Sequence, residues 1–196
     1  MAKDEQVYGL ILSGGKSTRM GADKGLLEYH GKPHREYLYE LAQSFCKDVF
    51  FSVRKDQEKN LKNDSTIIDR NEYRGPFNGI LSAHALYPEA TWLVLACDLP
   101  LIDSESISKL ISERDVSKHA TALATSRTKL PEPLAAIWEP HGLHKAIGYL
   151  KTAESSCPRK FLLNSDIKLA HPKTDDVLYN ANSKEEFEHI KSVLKI

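Results

Sequence analysis

A glycine-rich segment near the N-terminus carries residue types that bind phosphate. Gly14 and Gly15 lack a Cβ atom, so backbone N–H groups at these positions can approach phosphate oxygens closely. Lys16, Arg19 and Lys24 follow them and supply positive charge. Because the chain has 27 basic and 27 acidic residues and a net charge of zero, a polyanion needs such a local cluster of cations. The segment therefore predicts a site for a nucleoside triphosphate.

Two familiar phosphate loops do not fit this segment. A P-loop requires a glycine, four further residues and then Gly-Lys-Ser or Gly-Lys-Thr. The chain has Gly15-Lys16-Ser17, but Leu10 stands where the first glycine belongs. The dinucleotide fingerprint G-x-G-x-x-G is also absent from the segment. On the two glycines alone, a plain strand-to-helix turn with surface cations remains an alternative.

A carboxylate follows a second apolar run. Residues 92–96 (WLVLA) are typical of a buried strand, and Cys97 and Asp98 come directly after it. The carboxyl ends of parallel strands face one crevice, so Asp98 is expected opposite the glycine-rich segment. Magnesium prefers oxygen ligands and often takes one or two carboxylates together with substrate phosphates. Asp98 is the predicted Mg²⁺ ligand, and a turn-forming Asp before Pro100 is the alternative.

Strand and helix signals alternate through the first half of the chain. Strands are predicted at 7–12, 49–53, 66–69 and 92–96, with weaker signals at 120–125 and 134–138. Helices are predicted after Pro33, after the turn 75–79, after an Asp103 or Ser104 cap, at 142–151, at 158–163 and after a Ser183 cap. The pattern predicts an α/β fold, a Rossmann-like three-layer sandwich whose mostly parallel sheet has helices on both faces. Residues 126–133 are the least regular.

Composition narrows the class of protein. The 196 residues are 41% hydrophobic and 28% charged, which indicates a single globular domain over residues 1–196. The zero net charge argues against nucleic acid as a partner, and no apolar stretch is long enough to span a membrane. Three widely spaced cysteines predict neither a zinc site nor a disulfide framework, so a cytoplasmic location is expected.

The thirteen-position motif that begins at Leu12 carries a family resemblance. The chain reads L-x-G-G-x-S-x-R-M-G-x-D-K, followed by Gly31-Lys32-Pro33, and so resembles the molybdenum cofactor guanylyltransferases and related nucleotidyltransferases. A fainter likeness continues to Glu186 and so covers nearly the whole chain. The resemblance implies a fold like that of the nucleotide-diphospho-sugar transferases. It also implies an N-terminal half that binds nucleotide and a C-terminal half that binds the acceptor.

The resemblance also implies roles for individual residues. Substrate contacts are implied for Leu12, Ser13, Gly14, Gly15, Lys16, Lys24, Ser52, Asp69, Gly75, Gly79, Asp98 and Asn182. Catalytic roles are implied for Arg19, Lys24 and Asp98, and Asp98 is the implied metal ligand. Ser52 departs from the family, because some members have Asn there. From the residues alone, Asp69 either contacts base or ribose or merely begins a loop, and Asn180 with Asn182 either binds substrate or forms a turn.

The acceptor side has weaker signals. Residues 131–134 (PEPL) match the family's Pro-Leu strand start near the pterin. Arg159 and Lys160 either meet an acidic pterin phosphate or are solvated surface charges, and the second interpretation is favoured. Cys97 is expected to be a small buried filler. The histidines, including His30, His34 and His84, are expected on the surface or in the core rather than in catalysis.

The reaction implied by the resemblance is magnesium-dependent transfer of GMP from GTP to the terminal phosphate of molybdopterin, with release of pyrophosphate. GTP and molybdopterin are then the small-molecule partners, and transient contact with other molybdenum cofactor proteins is allowed. One alternative is a cytidylyltransferase of the same cofactor or of a small phosphorylated alcohol or sugar. A second is a nucleotide-binding adaptor without turnover. A P-loop hydrolase is a third, and Leu10 disfavours it.

Overall fold

The computed structural model describes residues 7–14, 24–58, 65–181 and 183–194. Those residues form seven strands: β1 (Val7–Leu12), β2 (Val49–Val53), β3 (Thr66–Ile68), β4 (Thr91–Ala96), β5 (Ala120–Ala124), β6 (Pro131–Trp138) and β7 (Ile167–Ala170). They also form α1 (His34–Gln43), α2 (Phe77–Leu86), α3 (Ser104–Ser112), α4 (Pro140–Leu150), α5 (Pro158–Leu163) and α6 (Lys184–Leu194). Short 3₁₀ turns cover Lys24–Leu26 and Asp175–Leu178.

The strands form one mixed sheet in the order β3-β2-β1-β4-β6-β5-β7. All neighbours run parallel except β6, which is antiparallel to both β4 and β5. Leu12 at the end of β1 lies level with Ser52 of β2 and Ala96 of β4. The start of the glycine-rich segment at Ser13 and Gly14, the end of β2 and Asp98 therefore meet at one edge of the sheet. The predicted mostly parallel sheet is confirmed.

Both faces of the sheet are buried, which produces the three layers. Along β1 the side chain of Leu10 packs in one apolar cluster with α2 residues, and Ile11 packs in another with α1 residues. Val94 and Leu95 of β4 divide between the same two clusters. Strands buried on both faces read as continuous apolar runs, and this explains why β1 and β4 are visible in the sequence.

Two predicted helix starts are confirmed by their caps. The Asp103 carboxylate accepts a hydrogen bond from the Ser106 N–H at 2.8 Å at the start of α3. Before α6, the Ser183 N–H donates to Glu186 Oε2 at 2.8 Å, and the Glu186 N–H donates to Ser183 Oγ at 3.2 Å. This reciprocal pair is a capping box, in which two otherwise unpaired helix donors are satisfied.

Two elements differ from the prediction. The strand expected from Leu134 already begins at Pro131. Its pairing with β5 changes register between Ala122 and Leu123. Proline is tolerated at a first strand position or a bulge, so Pro131 and Pro133 fit there despite lacking an N–H. β7 was not predicted, since only four residues with one charged side chain form it. Within the described residues, no helix combines the length and apolar character that a membrane crossing needs.

Candidate active site

A cleft of about 480 Å³ opens at the carboxyl ends of β1, β2 and β4. Eight residues singled out from the sequence line it together: Leu12, Ser13, Gly14, Ser52, Asp69, Gly75, Gly79 and Asp98. The strand register accounts for this convergence, because it sets the ends of the three strands level. Ligands of open α/β sheets bind at this edge, so the cleft is the candidate active site.

Part of the predicted site lies outside the described residues. Gly15, Lys16, Arg19 and Asn182 belong to that part, as does the side chain of Lys24. The backbone of Lys24 begins the 3₁₀ turn that follows the glycine-rich segment. The phosphate contacts of these residues therefore stay predictions.

One wall of the cleft is built around the buried carboxylate of Asp69. Its Oδ1 atom accepts a hydrogen bond from Ser52 Oγ at 2.6 Å. Burial raises the pKa of Asp69 above its ordinary value, while hydrogen bonds from Ser52 and Asn78 and the charge of Arg54 oppose the rise. A partly desolvated carboxylate of this kind is a strong acceptor for N–H or O–H groups of a ligand.

Two glycines make room for the Asp69–Ser52 pair. A Cβ atom added to Gly14 would lie 2.7 Å from Asp69 Oδ2. A Cβ atom on Gly79 would collide with Ser52 Oγ and would lie 2.9 Å from Leu12 Cδ2. Glycine is therefore needed at both positions for the end of β1 and the start of α2 to lie this close to the Asp69 and Ser52 side chains.

Asp98 lies half-buried on the floor of the cleft, directly after β4. Its carbonyl oxygen accepts a hydrogen bond from the Ala181 N–H at 2.9 Å, which brings the chain around Asn180 beside it. Substrate binding by the side chain of Asn180 or Asn182 stays a prediction.

Two buried neighbours experience the negative charge of Asp98. Burial raises the pKa of Tyr29 to about 12, and the charge of Asp98 contributes next. Burial also raises the pKa of Glu132, where Arg159 opposes the rise and Asp98 adds to it. A divalent cation at Asp98 would offset this repulsion.

Asp98 supplies a carboxylate of the kind that magnesium binds in proteins. Among the described residues there is no group of three or more His, Cys, Asp or Glu side chains that could hold a metal ion. Magnesium commonly takes only one or two protein carboxylates and completes its shell with substrate phosphates and water. The Asp98 carboxylate, at the edge where the phosphate segment begins, is compatible with that arrangement.

A stack of rings holds the loop that follows Asp98. His30 Nε2 lies 3.0 Å from the Pro100 carbonyl oxygen, and Tyr37 Oη donates to the Ile102 carbonyl oxygen at 3.2 Å. The rings of His30 and Tyr37 stack at 3.8 Å between centroids, and fully buried His34 lies next to both. The placement of His30 and His34 among packed side chains agrees with the expectation from the sequence.

His34 should make the fold acid-sensitive. Burial, with a smaller contribution from His30, lowers the pKa of His34 from 6.5 to about 3. As the pH falls below 6.5, His34 takes up a proton in the unfolded chain but stays neutral in the folded chain. The free energy of unfolding therefore decreases by about 1.4 kcal/mol per pH unit between the unfolded-state and folded-state pKa values. Between about pH 7.5 and about pH 5, the free energy of unfolding should decrease by about 2 kcal/mol less in His34→Gln than in the parent. Urea unfolding at both pH values measures this, and equal losses would contradict it.

The acceptor side corrects the interpretation of Arg159 as a solvated charge. Its Nη2 atom forms an ion pair with Oε2 of buried Glu132, and its Nε donates to the Pro131 carbonyl oxygen at 3.0 Å. Arg159 therefore ties α5 to the start of β6, because burial of Glu132 requires a partner. Lys160 is exposed, as favoured from the sequence, and Leu134 lines the cleft.

Several residues of the cleft were missed from the sequence: Gly25, Arg54, Asn71, Tyr73 and Asn78. Arg54 had a usable signal, since it is a cation directly after the apolar strand β2. Asn78 also had a usable sequence signal, because it lies in the Gly-Pro turn that begins α2. In the structure, its Oδ1 accepts a hydrogen bond from the Tyr73 N–H at 3.3 Å. Cys97 is buried, as expected.

Sequence comparison agrees with this architecture. Residues 9–170 match the family described as MobA-like NTP transferase domain. The chain belongs to this family. The predicted family and the nucleotidyltransferase class are thereby confirmed.

Relatives of this MobA-like chain have related names. A molybdenum cofactor biosynthesis bifunctional protein of Synechocystis is 38% identical over 186 residues, which cover 94% of this chain and 53% of that protein. A molybdenum cofactor guanylyltransferase of Pseudomonas fluorescens is 32% identical over 180 residues, 89% of this chain and 88% of its own length. The chain thus spans about half the length of the Synechocystis relative.

A solved structure shares the fold. Molybdopterin-guanine dinucleotide biosynthesis protein A from Archaeoglobus fulgidus superposes with a TM-score of 0.76 at 18% identity. The superposition covers 96% of this chain and 98% of that chain. The predicted nucleotide-diphospho-sugar transferase-like fold is confirmed.

Proposed function

We propose that this chain transfers GMP from GTP to the terminal phosphate of molybdopterin and releases pyrophosphate, with Mg²⁺ as cofactor. The observation that carries the proposal is the cleft in which Gly14, after β1, and Asp98, after β4, open at the same sheet edge. The names of the Synechocystis and Pseudomonas fluorescens relatives support the choice of molybdenum cofactor chemistry, and the name of the Pseudomonas fluorescens relative supports guanylyl transfer.

The residues that line the cleft and the cations predicted to follow Gly14 have separate roles in this proposal. Asp98 would hold Mg²⁺, which would supply positive charge to the phosphate oxygens. Gly14 lets the backbone approach the phosphates, and Lys16, Arg19 and Lys24 offset the charge of the leaving pyrophosphate. The attacking group is an anionic phosphate, so no general base is required. Positioning and charge neutralisation then account for most of the rate enhancement.

Asp69 is the proposed acceptor for the guanine base. Guanine presents two N–H donors side by side on its Watson–Crick edge, and a carboxylate accepts such a pair. Cytosine presents one amino donor beside two acceptors on the same edge, which a carboxylate would repel. The burial of Asp69 and its support by Ser52 favour guanine in this cleft.

The direct test is a calorimetric titration with GTP, CTP, ATP and UTP, with and without magnesium, followed by a pyrophosphate-release assay with molybdopterin. We expect magnesium-dependent binding that is tightest for GTP, and pyrophosphate release only when the acceptor is present. Preference for CTP would favour the cytidylyltransferase alternative. Binding without release, with any acceptor, would favour the adaptor. GTP hydrolysis without acceptor would favour a hydrolase.

Asp69→Asn should weaken the preference for GTP. The amide presents an N–H group to the guanine donors and accepts through only one oxygen. A hydrogen bond to a charged group contributes about 1.5–3 kcal/mol, so GTP affinity should fall by roughly 10- to 100-fold. CTP affinity should change far less, and the ratio of the two dissociation constants measures this. If both affinities fell equally, Asp69 would not read the base.

A further inference from the structure

We propose that Arg54 and Gln57 are positioning residues that hold the start of the phosphate-binding segment, the carbonyl groups of Ser13 and Gly14. We call these two side chains the carbonyl clamp. The proposal rests on the proposed function for its catalytic consequence. The contacts themselves do not depend on which nucleotide is bound.

The clamp lies on a closed turn directly after β2. The Gln57 N–H donates to the Arg54 carbonyl oxygen at 2.9 Å, and the Arg54 N–H donates to Gln57 Oε1 at 3.2 Å. From this turn, Gln57 Nε2 donates to the Ser13 carbonyl oxygen at 3.3 Å, and Arg54 Nη1 donates to that of Gly14. Gln57 is buried, so its amide has a fixed setting.

All three nitrogens of the Arg54 guanidinium are used within the protein. Nη1 contacts Gly14, while Nε and Nη2 donate to the two carboxylate oxygens of Asp56 at 3.1 and 3.2 Å. The Asp56 pair is exposed and contributes little energy, but it fixes the orientation of the planar guanidinium. Arg54 therefore acts through Gly14 rather than as a direct phosphate ligand.

Holding these carbonyls orients backbone donors. In a trans peptide group the C=O and the following N–H point in opposite directions. Because Gln57 fixes the Ser13 carbonyl, it also fixes the direction of the Gly14 N–H. The Ser13 N–H is already used, since it donates to the Ser52 carbonyl oxygen at 2.9 Å. The clamp thus sets the donor geometry where the segment leaves β1.

Little tolerance exists at this point. A Cβ on Gly14 would lie 2.7 Å from Asp69 Oδ2 and 3.5 Å from the backbone nitrogen of Arg54, so Gly14 lies close both to the proposed base acceptor and to the turn that carries the clamp. A displacement of Gly14 would change both the phosphate donors and the space beside Asp69. Misplaced donors in a preorganised site reduce rate more than they reduce affinity.

Four variants test the clamp: Arg54→Ala, Arg54→Lys, Gln57→Leu and the matched control Lys55→Ala. Lys55 is exposed on the same turn, so Lys55→Ala removes the same charge without touching the clamp. We expect Arg54→Ala to lower kcat by about 10- to 100-fold with a smaller change in KM, as for loss of a hydrogen bond to a charged group. Arg54→Lys should recover part of the loss, Gln57→Leu should lose about tenfold, and Lys55→Ala should stay within about twofold. Equal losses in Lys55→Ala and Arg54→Ala would overturn the proposal.

A second readout needs no activity. Ser13-Gly14 is the only Ser-Gly pair in the chain, so labelling serine carbonyls with ¹³C and glycine nitrogens with ¹⁵N selects one amide signal in an NMR carbonyl-correlation spectrum. We expect this signal to move in Arg54→Ala and in Gln57→Leu and to stay in place in Lys55→Ala. An unmoved signal in both clamp variants would overturn the proposal, even if GTP were the wrong nucleotide. A moved signal without GTP turnover would instead count against the proposed function alone.

Discussion

Asp98→Ala is expected to lose roughly 10²–10³-fold or more in turnover while remaining folded. Asp98 lies half-buried at the cleft floor, and its charge is felt by Tyr29 and Glu132. Removing it leaves the proposed Mg²⁺ without its protein carboxylate, so charge on the reacting phosphates is no longer neutralised in place. Pyrophosphate release with GTP, molybdopterin and magnesium measures the loss.

Asp98→Asn is the matched control for this experiment. It keeps the size and an oxygen ligand but removes the negative charge, so we expect most of the loss together with a higher magnesium requirement. Thermal unfolding of both variants and of the parent checks that the variants remain folded. Near-parental turnover by either folded variant would remove Asp98 from the mechanism.

Glu139→Ala is expected to cost about 3–5 kcal/mol of stability, the usual effect of breaking one side of a buried ion pair. Arg114 Nε and Nη2 donate to the two carboxylate oxygens of Glu139 at 2.7 and 2.9 Å. Thr91 Oγ1 donates to Glu139 Oε2 at 2.9 Å and accepts from Arg114 Nη2 at 3.0 Å. The side chains of Arg114 and Glu139 are only 9% and 3% exposed, so water cannot replace a lost partner.

Urea unfolding at neutral pH measures this cost. The double variant Arg114→Met with Glu139→Leu should be far less destabilised than Glu139→Ala, since it leaves no unpaired buried charge. Thr91 begins β4 at the end opposite Asp98, so turnover at low temperature should persist in the folded fraction. A loss under about 1 kcal/mol in Glu139→Ala would show that the pair is not effectively buried.

The parts of the fold that could be read from the sequence are those fixed by local pattern. β1 and β4 are continuous apolar runs because both faces of the sheet are buried. Asp103 and Ser183 predict the starts of α3 and α6 because their side chains accept hydrogen bonds from N–H groups of the first helical turn. β6 was harder because its direction depends on pairing with β4 and β5, which no local signal encodes. The short β7 is stabilised by pairing with β5.

In the candidate site too, residues with a local sequence signal were predicted and contacts between distant parts of the chain were not. Gly14 and Asp98 were accessible because each follows an apolar strand, and the parallel register brings such ends together. The contact of Arg54 with Gly14 joins residues far apart in the chain, and the pair of Glu132 with Arg159 does the same. Pairings of this kind depend on where strand ends and helices meet in space, so residue type and spacing alone did not predict them.

A crystal structure grown with GTP and Mn²⁺ in place of Mg²⁺ would show where the metal and the triphosphate bind. We expect an anomalous peak for one ion in contact with the Asp98 carboxylate and a triphosphate oxygen, with the phosphates against the Gly14 backbone. An ion bound away from Asp98, or a nucleotide bound outside the cleft at the ends of β1, β2 and β4, would contradict the proposed site.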